Sequence, residues 1–132
     1  MLFNLKVINH IIMNERNETY DFICFSELAY EWNGSDREKV EIKIKNRINK
    51  LVNQKYNQKR VDYIRLLRNE LFGEISLRNE SKYYINNNLK YADLGDFDSN
   101  KMLLDFTRKY NQISETDLLN IIEMAIYLFY MR

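Results

Sequence analysis

Apolar residues recur at helical spacing through most of the chain, and strict alternation competes with that spacing in only a few stretches. Val40, Ile44, Ile48 and Leu51 fall on one helical face. Ser35-Asp36-Arg37-Glu38 precedes them as a capping box, a hydroxyl followed three residues later by a carboxylate, so a helix is expected to start there. Val40, Ile42 and Ile44 also alternate with Glu41, Lys43 and Lys45 as a strand would, but the capping box and the continuation to Leu51 favour the helix. A second amphipathic stretch covers about 58–72, with Val61, Ile64, Leu67 and Leu71 inward and Gly73 placed as a C-terminal cap. The two helices either run together or break near Asn57.

The flanks are read the same way. Over 2–13, Leu5, Ile8 and Ile12 share a helical face, while Phe3, Leu5 and Val7 alternate. Residues 19–25 have strand propensity, yet Phe22, Phe25, Ala29 and Trp32 also suit a helix that stops before Gly34. Residues 86–88 and 93–98 read as loop. Asp98 or Ser99 is expected to cap a helix over about 100–112, with Leu103, Leu104 and Phe106 as its apolar residues. Ser114-x-x-Asp117 resembles another cap and opens a last helix, 115–131, whose stretch from Leu118 to Met131 holds only one charge, Glu123. A helix apolar nearly all round belongs in the centre of a core or in an oligomer interface, which makes a homodimer one expectation.

The expected fold is therefore mainly α, an irregular small bundle of four to six helices with at most one short β-hairpin or ribbon. Its expected core is Leu5, Ile8, Phe22, Phe25, Leu28, Trp32, Val40, Ile44, Ile48, Leu51, Ile64, Leu67, Leu71, Leu104, Leu118, Ile122, Ala125 and Phe129. The 132 residues suit a single domain over 1–132, and the absence of proline with only three glycines favours long helices. Cys24 is the sole cysteine, which excludes an intrachain disulfide, fits a reducing compartment and reads as an ordinary small core residue. The N-terminus does not read as a signal peptide. The longest apolar run, Met124 to Met131, is too short for a bilayer, so a cytoplasmic protein without membrane contact is expected.

Charge changes the picture more than composition does. Residues 37–68 carry eleven Lys/Arg against three Asp/Glu, whereas both flanks are mildly acidic and the chain as a whole is +1. Lys43, Lys45, Arg47, Lys50, Lys55, Lys59 and Arg60 follow one another with no acid between them. Such a run neutralises phosphates through counterion release, and Tyr56 and Tyr63 supply rings for stacking on single-stranded bases. It equally suits docking on an acidic protein surface, and a solvated face is the plainer reading.

Residues 25–51 resemble helix-turn-helix DNA-binding domains. Ala29 stands where a small residue lets two helices approach, Gly34 stands at the turn, and Val40, Ile44 and Ile48 seat the second helix. Ala29 to Gly34 is one residue longer than usual, and Ser35 replaces the apolar residue after the glycine. The resemblance implies that Arg37, Lys39, Lys43 and Arg47 face the major groove, with Lys45 and Lys50 toward the backbone.

Other chemistry is thinly represented. If 39–45 were a strand, Glu41-Ile42-Lys43 with Asp21 would resemble the metal-binding part of restriction-type nucleases. Asp96-x-Asp98-x-Asn100 matches the first ligands of a calcium loop, but Lys101 and Thr107 occupy its glycine and glutamate positions, and helix capping explains the cluster better. One histidine, His10, and one cysteine make no zinc site; a Cys24–His10 nucleophile pair is the alternative to the core reading of Cys24. There is no phosphate-binding glycine loop. No catalytic residue, metal or cofactor is therefore assigned. The expected function is a small non-enzymatic binding protein, a DNA-binding regulator acting through Arg37, Lys39, Lys43, Lys45, Arg47, Lys50, Lys55, Lys59 and Arg60. The alternative is a phage-type inhibitor or immunity protein that contacts a protein partner through Tyr30, Trp32, Tyr83, Tyr84 and Tyr91.

Overall fold

In a computed structural model of the chain, which describes residues 18–31, 36–85 and 96–131, the strand-prone segment after Glu18 is a helix, α1 (Tyr20–Leu28). The Thr19 hydroxyl starts it by accepting the Phe22 N–H at 3.3 Å. Phe22, Ile23, Cys24, Phe25 and Leu28 are all buried, so α1 is enclosed on several sides. It packs against three other helices, and that enclosure outweighs the β-propensity of its residues.

The basic helix α2 (Arg37–Leu51) buries Val40, Ile44 and Ile48 as the periodicity requires. Its N-cap is Asp36, which makes no side-chain capping bond; Ser35 of the expected capping box lies outside the described residues. Because 39–45 is helical, the strand on which the nuclease-like reading depended does not exist. Leu51, expected in the core, is 52% exposed. The helix ends there, and Val52 packs against the core instead.

The chain then breaks, as one of the two alternatives had it. Asn53 takes a left-handed φ of 50°, which a short amide side chain tolerates. The Asn57 side chain opens α3 (Gln58–Ser76) by accepting the Arg60 N–H at 3.1 Å. Gly73 is not the cap it was expected to be. Ile75 follows Leu71 at i+4 on the buried face, so the apolar stripe continues and the helix runs through the glycine to Ser76.

After a 3₁₀ turn (Arg78–Glu80), Tyr84 and Phe97 form an isolated antiparallel bridge. Among the described residues, that bridge is all that the expected hairpin or ribbon amounts to. Asp98 caps α4 (Ser99–Lys109) by accepting the Lys101 N–H at 3.0 Å. Met102, Phe106 and Tyr110, four apart, form its inward stripe, which turns Leu104 outward to 64% exposure against expectation. Ser114 Oγ accepts the Asp117 N–H at 3.1 Å and starts α5 (Glu115–Met131). Leu118, Ile121, Ile122 and Ala125 seat α5 against α1, α3 and α4, the central position its composition implied, while Phe129 is half-buried at the edge of the core. Among the described residues the fold is thus mainly helical, and no helix is long and apolar enough to cross a membrane. Leu5, Ile8, Trp32 and the 2–13 segment lie outside the described residues.

Candidate nucleic-acid interface

The basic segment divides by residue type. Arg47, Arg60 and Arg65 reach acids of the preceding segment. Arg47 Nη1 donates to Glu27 at 2.9 Å and to Ser26 at 2.8 Å, and Nη2 pairs with Glu18. Arg60 donates to both Asp21 oxygens, at 2.8 and 2.6 Å, and to the Gln112 carbonyl at 2.7 Å. Arg65 sits between Glu31, with two bonds of 2.9 Å, and Glu41, also at 2.9 Å, with Asp62 at 3.0 Å. A planar guanidinium satisfies two carboxylate oxygens at once, which is why arginine suits these half-buried positions. Arg47 and Arg60, expected at an exposed nucleic-acid surface, therefore tie α2 and α3 to α1. Arg37 remains exposed at the rim, 3.6 Å from Glu41 and 3.5 Å from Asp62.

The lysines do the opposite. Lys39, Lys43, Lys45, Lys50, Lys55 and Lys59 are exposed and pair with no carboxylate among the described residues. Lys39, Lys43, Asn46 and Lys50 follow i, i+4, i+7, i+11 and form one stripe on the exposed side of α2, flanking the buried face of Val40, Ile44 and Ile48. Lys45 lies to one side of that stripe, toward the 52–57 connection that carries Lys55.

Between α2 and that connection lies a groove of about 670 Å³. Two lysines, Lys45 and Lys55, line it together with the amides Asn46, Asn49, Asn53 and Gln54 and the ring of Tyr56. Tyr56 packs against the core, and its hydroxyl donates to Gln58 Oε1 at 2.9 Å. Burial, with the Glu41 charge adding to it, pushes this phenol up to about 12, so it is a neutral hydrogen-bonding group at neutral pH. For Glu41 itself, burial pushes the carboxyl upward, but hydrogen bonds from Gln58 and Arg65 and the charges of Arg65 and Arg37 outweigh it and hold the carboxyl below its usual value. The sequence pointed to the lysines and to Tyr56. It gave no sign of the four amides as a set, because helix and connection converge only in three dimensions.

The helix-turn-helix resemblance keeps its apolar seats, with Ala29, Val40, Ile44 and Ile48 buried. It loses Arg47 from the exposed set, and Trp32 and Gly34 lie outside the described residues. Of the aromatics expected at a partner surface, Tyr30 is 57% exposed. Tyr83 is instead buried, donating to Asp105 at 2.8 Å, because it sits where the turn after α3 closes over α4. Tyr84 is half-buried edge-on to Phe97, and Tyr91 lies outside the described residues.

No cluster of three metal-ligating side chains occurs among the described residues, and Asp98 of the calcium-like sequence is the α4 cap. Cys24 is buried, which, with the Asp21 charge, pushes its thiol up to about 12, and His10 lies outside the described residues. The chain matches no family model, no curated protein and no solved structure.

Proposed function

We propose that the chain is a non-enzymatic nucleic-acid-binding protein that uses the lysine face of α2, the 52–57 connection and Lys59 at the start of α3. One observation carries this reading: the six lysines of 39–59 have no internal partner among the described residues, while Arg47, Arg60 and Arg65 are engaged by acids. An ammonium held away from carboxylates keeps its full charge for an external anion. A stripe with a repeat of three to four residues presents such charges along a line, as a phosphate backbone does. If all six lysines engage duplex phosphates, log affinity falls against log salt with a slope of roughly −5.

The test is fluorescence anisotropy of labelled duplex and single-stranded DNA over a salt series. The control is a Lys39/Lys43/Lys50→Ala variant, which leaves the structural Arg47 in place. Salt-dependent binding that this folded variant loses supports the proposal, and absence of binding at low salt sinks it. The alternative, an inhibitor-type module, has the same lysine face docking on an acidic protein surface with Tyr30 as its exposed aromatic. That alternative predicts no useful affinity for either DNA form.

A further inference from the structure

We infer that the groove between α2 and the 52–57 connection receives an unpaired base, so that the nucleic acid held by this surface is single-stranded. The inference rests on the nucleic-acid reading above and specifies its ligand.

Charge selects this groove over its neighbours. Two smaller grooves adjoin it, one on each side. One holds Asp21 paired with Arg60 beside Lys55, and the other holds Glu38 and Glu41 beside Lys45, whereas this one contains two lysines and no carboxylate. An anionic ligand meets a carboxylate in each of the first two and only cations and neutral groups in the third. Phosphates alone do not account for its lining, because a phosphate oxygen only accepts hydrogen bonds. Asn46, Asn49, Asn53 and Gln54 each offer a donor and an acceptor, and none of these side chains has a hydrogen-bond partner among the described residues. That mixed set complements the edge of a base, where donors and acceptors alternate.

Tyr56 supplies the stacking face. Its hydroxyl is tied to Gln58 and its ring packs against the core, so the ring is held in place before a ligand arrives. Lys45 and Lys55 then flank the base position, where the adjoining phosphates of a strand would lie, and the Lys39–Lys43–Lys50 stripe extends the same track. In a duplex the base faces are already stacked and the pairing edges are occupied. Only an unpaired base uses the ring and the amides together.

The test compares three labelled ligands of equal length with the full chain at one salt concentration: a single-stranded oligonucleotide, the same strand with abasic sites throughout, and a duplex. The intact strand is expected to bind about tenfold more tightly than the abasic strand, the contribution of a stacked base. Tyr56→Leu, which keeps an apolar side chain against the core, should remove that difference while leaving the abasic affinity and the salt slope unchanged. Asn46→Ala/Asn49→Ala alters exposed positions only and should narrow the same difference, so the test survives if the Tyr56 variant does not fold. Equal binding of intact and abasic strands, or tighter binding of the duplex, overturns the base site and leaves the nucleic-acid reading standing. No binding of any ligand at low salt overturns both.

Discussion

Arg60 in the first turn of α3 holds Asp21 on α1 with two hydrogen bonds, of 2.8 and 2.6 Å, one to each carboxylate oxygen. Asp21 is largely buried, so removing the guanidinium leaves a poorly hydrated carboxylate without its cation. Arg60→Ala is expected to cost about 3 kcal/mol in chemical denaturation. Arg60→Lys should recover only part of this, because an ammonium does not span both oxygens. An unchanged midpoint for the alanine variant would show that the pair adds nothing to stability.

Two neighbours on α2 should separate binding from folding. Lys43 is exposed and Arg47 is locked to Glu18 and Glu27. Lys43→Ala should keep the melting temperature and make the salt slope shallower by about 0.7 for single-stranded DNA, or about 0.9 for a duplex. Arg47→Ala should lower the melting temperature and leave the slope alone. Parallel effects in both assays would contradict this division of labour.

Glu41 gives a pH signature. Its carboxyl is held below the usual value of 4.5, so the native state binds its proton less tightly than the unfolded chain does. The stabilisation is therefore fully present above that unfolded value and is lost as pH falls through the lower native one. Glu41→Gln should be less stable than the parent by about 1–2 kcal/mol at neutral pH and equal to it in strong acid. The difference between the two proteins is the informative quantity. Asp117 titrates with the opposite sign: burial and the Asp21 charge raise its carboxyl despite hydrogen bonds from Thr19 and at Ser114. Its penalty grows as pH rises and cancels in the comparison. A difference that stays constant with pH would count against the Arg65–Glu41 interaction.

Gly73 is a helical residue with no left-handed φ, and a methyl group there would meet nothing within 4 Å. Gly73→Ala should stabilise the protein by about 0.5–1 kcal/mol through reduced backbone freedom in the unfolded chain. Thermal melting reads this directly, and a destabilised variant would mean that α3 needs the glycine.

Much of the fold was legible because it is written locally. Asp98 caps α4 and Ser114 caps α5 through bonds that span three residues, and Val40, Ile44 and Ile48 mark a buried face within one helix. Interactions of that range need only the sequence in which they lie. The helix at 20–28 could not be told from a strand, since it exists through burial against α2, α3 and α5 rather than through its own propensity. Leu104 and Met102 are equally apolar in sequence, and the packing of α4 on α5 alone turned one outward and the other inward. The same holds for the candidate site. The sequence set out the excess of basic residues in 37–68, but only the placement of α1 beside α2 and α3 assigned Arg47 and Arg60 to internal acids while the lysines stayed in solvent. The amide groove likewise exists only where the flank of α2 meets the 52–57 connection. Periodicity and caps act over one turn of helix and can be read from the chain, whereas ion pairs and grooves depend on which distant segments are brought together, and that is decided by packing.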